Sequence, residues 1–217
     1  MRRGRTRLGR RQGAAALVVA AAVMAAAPAA GQTPARPGSW VLDIRGATSP
    51  VPTDATFYPA LTSTIVPSRG FGVDLGGHVY LFDLGPARIG FGANVMLVRA
   101  SITAPSTAEP GSAAGQHLTL TMRVVVPQIS FNFGSRDGWS YLSAGLGTGV
   151  VNTETAVDSP GELHSGQLRT VNYGGGARWF MTPHLAFGVD LRAYQLAAGA
   201  GTPRVNVFAA GAGLSIR

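Results

Sequence analysis

Beyond residue 39, apolar and polar positions alternate with a period of two along most of the chain. The clearest case is residues 70–101, where two such runs flank Asp83-Leu84-Gly85-Pro86. Before that turn, Phe71, Val73, Leu75, Val79 and Leu81 share one parity, and Gly72, Asp74, Gly76 and His78 hold the other. After it, Ile89, Phe91, Ala93, Val95 and Leu97 alternate with Arg88, Gly90, Gly92 and Asn94. A period of two sends successive side chains to opposite faces of a strand. Both runs exceed the roughly 5–6 residues of an ordinary globular strand and reach the roughly 9–11 that a tilted strand needs to cross a bilayer. The stretch predicts a membrane-spanning β-hairpin.

The same pattern predicts six more strands. The first, residues 40–46, sets Trp40, Leu42 and Ile44 against Val41, Asp43 and Arg45. Residues 47–69 carry Pro50, Pro52, Pro59 and Pro67, a density that disfavours a central strand. Beyond the polar, proline-broken loop 102–116, Leu118, Leu120, Met122, Val124 and Val126 keep one parity; past Pro127 the apolar set becomes Ile129, Phe131 and Phe133. A parity slip at a proline predicts a β-bulge there. A turn at 134–138 leads into residues 139–151, and the polar loop 152–166 follows. Residues 167–180, a turn at 181–184, the run from Leu185, a loop at 197–203 and residues 205–217 complete the chain.

Three connections are tight turns (2–3, 4–5 and 6–7), three are long (1–2, 3–4 and 5–6), and 7–8 is intermediate. An even strand number with short turns on one side and long loops on the other is the layout of a membrane barrel. Lipid offers no partner to an open sheet edge, so the sheet must close. The expected fold is therefore all-β: an eight-stranded antiparallel up-and-down transmembrane β-barrel over residues 40–217. A soluble barrel would turn the apolar face inward. Here the other face is crowded with glycine and short polar residues, which suits a narrow lumen, and the bulky apolar face suits lipid. Trp40, Phe82, Phe133, Trp139, Trp179 and Phe180 collect at the tight-turn end as an expected interfacial girdle.

Composition agrees with a wall against lipid. Charged residues make up 13% of the chain, where a soluble domain carries about a quarter. The chain has 30 glycines and no cysteine, and the absence of cysteine excludes a disulfide framework, a thiol nucleophile and thiolate-bound metal. The net charge of +8 is mostly a property of the first residues: Arg2, Arg3, Arg5, Arg7, Arg10 and Arg11 supply six of the 18 basic residues, leaving 12 − 10 = +2 beyond them. No basic face is left to argue for a nucleic-acid partner.

Residues 1–31 have the three parts of a secretory signal peptide: an arginine-rich start, an apolar run over 14–27, and the small residues Ala29-Ala30-Gly31. Cleavage is expected between Ala29 and Gln32, with residues 32–39 a flexible lead-in. A retained anchor is the alternative, for which the apolar run is short.

The stretches Ser130-Phe131-Asn132-Phe133-Gly134, Gly138-Trp139-Ser140-Tyr141-Leu142 and Gly211-Ala212-Gly213-Leu214-Ser215-Ile216-Arg217 carry a resemblance over residues 40–217. The chain resembles the small eight-stranded outer-membrane β-barrel superfamily, which includes the outer membrane protein A, X and W types. That resemblance implies an outer-membrane location, surrounding lipid as partner, a monomeric barrel and handling by the barrel-assembly machinery. Members usually end on an aromatic residue; Ile216-Arg217 stand in that place here.

The inward parity is expected to hold Asp43, Arg45, Asp74, His78, Arg123, Arg178, Asp190 and Arg192. Buried charges are normally paired, so Arg45 is expected to meet Asp74, and Arg178 to meet Asp190. The expected role is a polar plug in a structural or surface-interacting barrel. A narrow pore for small solutes is the alternative, although about eight strands leave an interior that side chains nearly fill. A lipid-modifying enzyme is a third class; serine chemistry needs a nucleophile, a base and an orienting carboxylate. Only His117, His164, Ser165 and Glu162 offer the residue types near the loop side, and nothing in their spacing sets a geometry. No metal-ligand spacing or phosphate loop is present, and no cofactor is expected.

Overall fold

In the computed structural model, residues 38–59, 61, 65–85, 87–104, 115–134, 137–156, 160–199 and 201–217 are described below. Residues 1–37, which include the signal-peptide expectation, lie outside them. The strands are β1 (Trp40–Pro50), β2 (Arg69–Leu84), β3 (Ala87–Ala104), β4 (Gln116–Gly134), β5 (Gly138–Ala156), β6 (Gly161–His164), β7 (Leu168–Phe180), β8 (Leu185–Leu196) and β9 (Val205–Ile216). All pairings between them are antiparallel. β4 pairs with β5, and β1 with β9 through Leu42↔Ile216, so the sheet closes on itself. The short β6 lies on the upper part of β5 (Asn152↔His164) and β7 on the lower part (Gly149↔Leu168). Together they form one wall strand broken at Ser165-Gly166-Gln167, which leaves eight staves. Among the described residues no helix is long and apolar enough to cross a membrane.

The β2–β3 hairpin turns through Gly85, whose φ of 66° lies in the left-handed region that a side chain resists. Burial alternates residue by residue along β1 and along most of β2 and β4. Leu42, Ile44, Phe71, Leu75, Leu97, Phe131, Leu146, Leu191 and Phe208 are exposed, while Asp43, Arg45, Asp74, Asn94, Arg178 and Asp190 are buried. The molecule is polar inside and apolar outside at mid-height, the reverse of a soluble barrel.

The lumen is layered. At the tight-turn end, Val41, Tyr80 and Trp139 close it with Phe180 packed against them. At the loop end a larger apolar cluster fills it: Met96, Val98, Leu118, Leu120, Met122 and Val124 from the wall, joined by Phe57 and Tyr58 from the β1–β2 connection. The polar layer lies between.

The expected bulge at Pro127 is not there. Pairing with β5 keeps one register on both sides, from Val125↔Thr148 to Gln128↔Gly145, and Pro127 sits opposite Ala93 in unbroken pairing with β3. The side-chain parity of β4 never slips. Even positions face inward throughout, apolar from Leu118 to Val126 and polar at Gln128, Ser130 and Asn132. The lumen changes character at that height, and the strand does not change register. The register shift that does occur is in β2, between Tyr80 and Phe82.

Candidate functional site: the lumen

β1 supplies Asp43 and Arg45 on its inward face, and β2 supplies Asp74, the register partner of Arg45. Arg45 Nη1 donates to Asp74 Oδ1 at 3.0 Å, and its Nη2 lies 2.8 Å from Asp43 Oδ1. Asp43 also accepts from Arg178 twice, Nε to Oδ1 at 2.8 Å and Nη2 to Oδ2 at 2.7 Å, and from Ser215 Oγ at 2.6 Å. Fork-on-fork geometry of this kind is the strong form of a charge-assisted hydrogen bond. The expected Arg178–Asp190 pair is therefore replaced. Asp190 is held from its own strand by Arg192, Nε to Oδ1 at 2.8 Å and Nη2 to Oδ2 at 2.9 Å, and it also accepts from Tyr141 Oη.

The charged groups are tied together by neutral polar ones. Asn94 Nδ2 donates to Asp74 Oδ2 at 2.8 Å, and Tyr194 Oη donates to Asn94 Oδ1 at 2.7 Å. Arg192 Nη1 reaches Ser143 Oγ at 3.0 Å and Asn172 Oδ1 at 3.1 Å. Gln128 Nε2 donates to the same Asn172 oxygen at 2.6 Å, and His78 Nε2 lies 3.2 Å from Gln128 Oε1. The Arg178 guanidinium lies 3.9 Å from the centre of the Tyr141 ring. Three buried arginines, Arg45, Arg178 and Arg192, balance three buried aspartates, Asp43, Asp74 and Asp190, within this layer.

Glycine makes room for this layer. A Cβ on Gly176 would stand 2.1 Å from Val189 O and 2.7 Å from Tyr141 Oη. Gly176 thus serves the close fit of the Tyr141 ring against the wall.

Arg123 departs from expectation: it points outward and is exposed. Its parity is that of Val125, Ile129 and Phe131, which face outward on an unbroken β4; the supposed bulge had hidden this. Trp139 and Phe180 also leave the expected girdle. Trp139 is 1% exposed, and its ring centre lies 4.8 Å from that of Phe180. Trp139 shares the parity of Tyr141 and Ser143, so strand alternation alone could have found this. Trp40 at 41%, Phe82 at 54% and Trp179 at 51% do face outward, as does the half-buried Phe133.

The residues with hydrolase-like chemistry are not brought together. Ser165 is buried, with its Oγ accepting from Val151 N at 2.9 Å and donating to Gly166 O at 2.9 Å. His164 lies on the exposed face 3.5 Å from Glu162, and His117 sits between the hydroxyls of Thr103 and Thr119.

Sequence reasoning missed the plug at the loop end. Ala55–Phe57 forms a 3-10 turn capped by Asp54, whose side chain accepts from Thr56 N. That bond holds the Asp54 carboxyl below its usual range. Phe57 and Tyr58 enter the lumen, Thr153 Oγ1 donates to Phe57 O, and Thr155 Oγ1 donates to Pro59 O at 2.9 Å. The proline density of residues 47–69 marked a non-strand, and Phe57-Tyr58 was the apolar pair within it.

A closed wall of eight antiparallel staves, an apolar exterior and a charged interior define a transmembrane β-barrel of the outer-membrane type. Neisserial surface protein A is similar in structure, with a TM-score of 0.53 at 12% identity over 82% of this chain and 97% of that one. Ail, the attachment invasion locus protein of Yersinia pestis, gives 0.48 at 14% over 81% and 97%. The outer membrane protease OmpT of Escherichia coli gives 0.43 at 12% over 69% and 64%. At such identities the likeness is one of fold. No protein-family model and no curated protein matches the chain.

Proposed function

We propose that the protein is a monomeric outer-membrane barrel whose lumen is a closed structural plug and whose loops meet the exterior. One observation carries this reading: side chains occupy the lumen at three levels. Val41, Tyr80 and Trp139 seal the tight-turn end, charge pairs occupy the middle, and Phe57 and Tyr58 stop the loop end. An interior of about eight strands is narrow enough for side chains to fill it. Export by the signal peptide and insertion by the barrel-assembly machinery accompany this reading, with surrounding lipid as the constant partner. The role is non-enzymatic, supported by Ser165 being engaged by backbone and turned away from His164.

A planar-bilayer recording of the refolded chain tests the reading. The expected trace lacks steady, reproducible conductance steps. A uniform step size that persists across preparations would favour the pore instead.

A further inference from the structure

Four exposed arginines occupy the outer face along one side of the wall: Arg69 on β2, Arg99 on β3, Arg123 on β4 and, beyond β5, Arg169 on β7. Register shows that they stand at nearly one height. The hydrogen-bonded row leaving β1 at Trp40 runs through Val79, Phe91, Ile129, Ala144, Tyr173, Ala193 and Phe208. It returns to β1 two residues past Ala210↔Thr48, level with Pro50. A row therefore climbs from 40 to 50 in one circuit, as tilted staves require. Level positions must step down slightly more than one residue per strand. The arginines do so: Arg99 pairs with Phe71, two residues below Arg69; Arg123 pairs with Leu97, two below Arg99; and Arg169 pairs with Thr148, two below Val150, the β5 partner of Arg123.

The ring also marks a chemical boundary. Two residues toward the tight turns from each arginine stands an exposed apolar side chain: Phe71, Leu97, Val125 and Val171. Two residues toward the loops from the last three stand Ser101, Thr121 and Gln167. At the opposite end Trp40 and Trp179 mark the other edge. On β2, Arg69 is ten residues from Val79, the row partner of Trp40. At roughly 3.3 Å per residue and a tilt near 45°, that spans about 23 Å, close to the roughly 25 Å apolar band of such barrels. None of the four arginines forms an ion pair or side-chain hydrogen bond with another described residue. The exposed acids Glu154 and Glu162 lie farther toward the loops, with Glu162 facing His164.

We propose that Arg69, Arg99, Arg123 and Arg169 bind the phosphate groups of anionic lipid in the loop-side leaflet. Guanidinium forks match phosphate oxygens in pairs, and acyl chains of the same lipid would lie along the apolar residues beneath. The surface takes a lipid, since headgroup and chain contacts adjoin at every arginine.

The test uses the full chain refolded in detergent and titrated with phosphatidic acid or with phosphatidylcholine of the same acyl chains, retained lipid being read by native mass spectrometry. The wild type is expected to prefer phosphatidic acid. Each arginine should contribute roughly fivefold to that preference, so a combined R99Q/R123Q/R169Q variant should lose it by roughly a hundredfold. The triple Arg→Lys variant, which keeps the charge, should retain most of the preference and covers the case in which the glutamine variant does not fold. A wild type without preference overturns the proposal, as does a folded glutamine variant that keeps it or a folded lysine variant that loses it. Inorganic phosphate at equal concentration should leave the lipid bound; displacement by it would show an anion site instead of a lipid surface.

Discussion

Asp43 is the residue on which the polar layer converges, because two guanidinium groups and a hydroxyl all contact its carboxylate. Removing one partner of a buried pair strands the other charge, which costs about 3–5 kcal/mol. Asp43→Ala is therefore expected to destabilise the barrel by about that amount, read from its urea unfolding midpoint in lipid vesicles. A midpoint equal to wild type would mean that the pairs carry none of the stability. The neighbourhood was partly legible in sequence. Asp43, Arg45 and Asp74 share the inward parity of two strands that pair directly, which brings Arg45 to Asp74. The partner of Arg178 was not legible, because Asp43 lies 135 residues away and the two meet across the lumen.

At the scale of the element, β4 and the β1–β2 connection teach the same lesson. Alternation identifies a strand, but it does not say which face is apolar when the interior itself changes from apolar to polar. Leu118 to Val126 therefore look continuous with a lipid face while pointing into the lumen. They do so because Phe57 and Tyr58 fold in to meet them. Burial pushes the Tyr58 phenol up to about 12 from its ordinary 10.0, and its Oη donates to Pro52 O at 2.7 Å. The folded value is raised and the neutral form is the buried one. The contribution of this contact is thus complete below about pH 10 and lost as pH rises through about 12. The tyrosinate absorbance of wild type minus Tyr58→Phe should show a group titrating near the upper value. Titration near 10 would mean that the plug is not docked.

For the whole molecule, the decisive property is inversion. Its three tryptophans divide accordingly: Trp40 and Trp179 are 41% and 51% exposed on the outer wall, while Trp139 is 1% exposed inside it. In single-tryptophan variants reconstituted into brominated lipid, fluorescence from Trp40 and Trp179 should be strongly quenched and that from Trp139 spared. Equal quenching of all three would contradict the inward placement of Trp139. Quenching of none would contradict the apolar exterior as a lipid surface.

The sequence by itself determined the staves, their alternation, the tight and long connections, and the inward parity of the charges other than Arg123. These follow from the period of two and from turn chemistry, which are local. Only the tertiary structure decided which charges pair across the lumen, that the loop-side interior is apolar and stoppered by Phe57 and Tyr58, and that four arginines on separate strands stand level. Each of those depends on the stagger with which the sheet closes from Ile216 onto Leu42. That stagger sets distances between strands far apart in the chain, and no local pattern contains it.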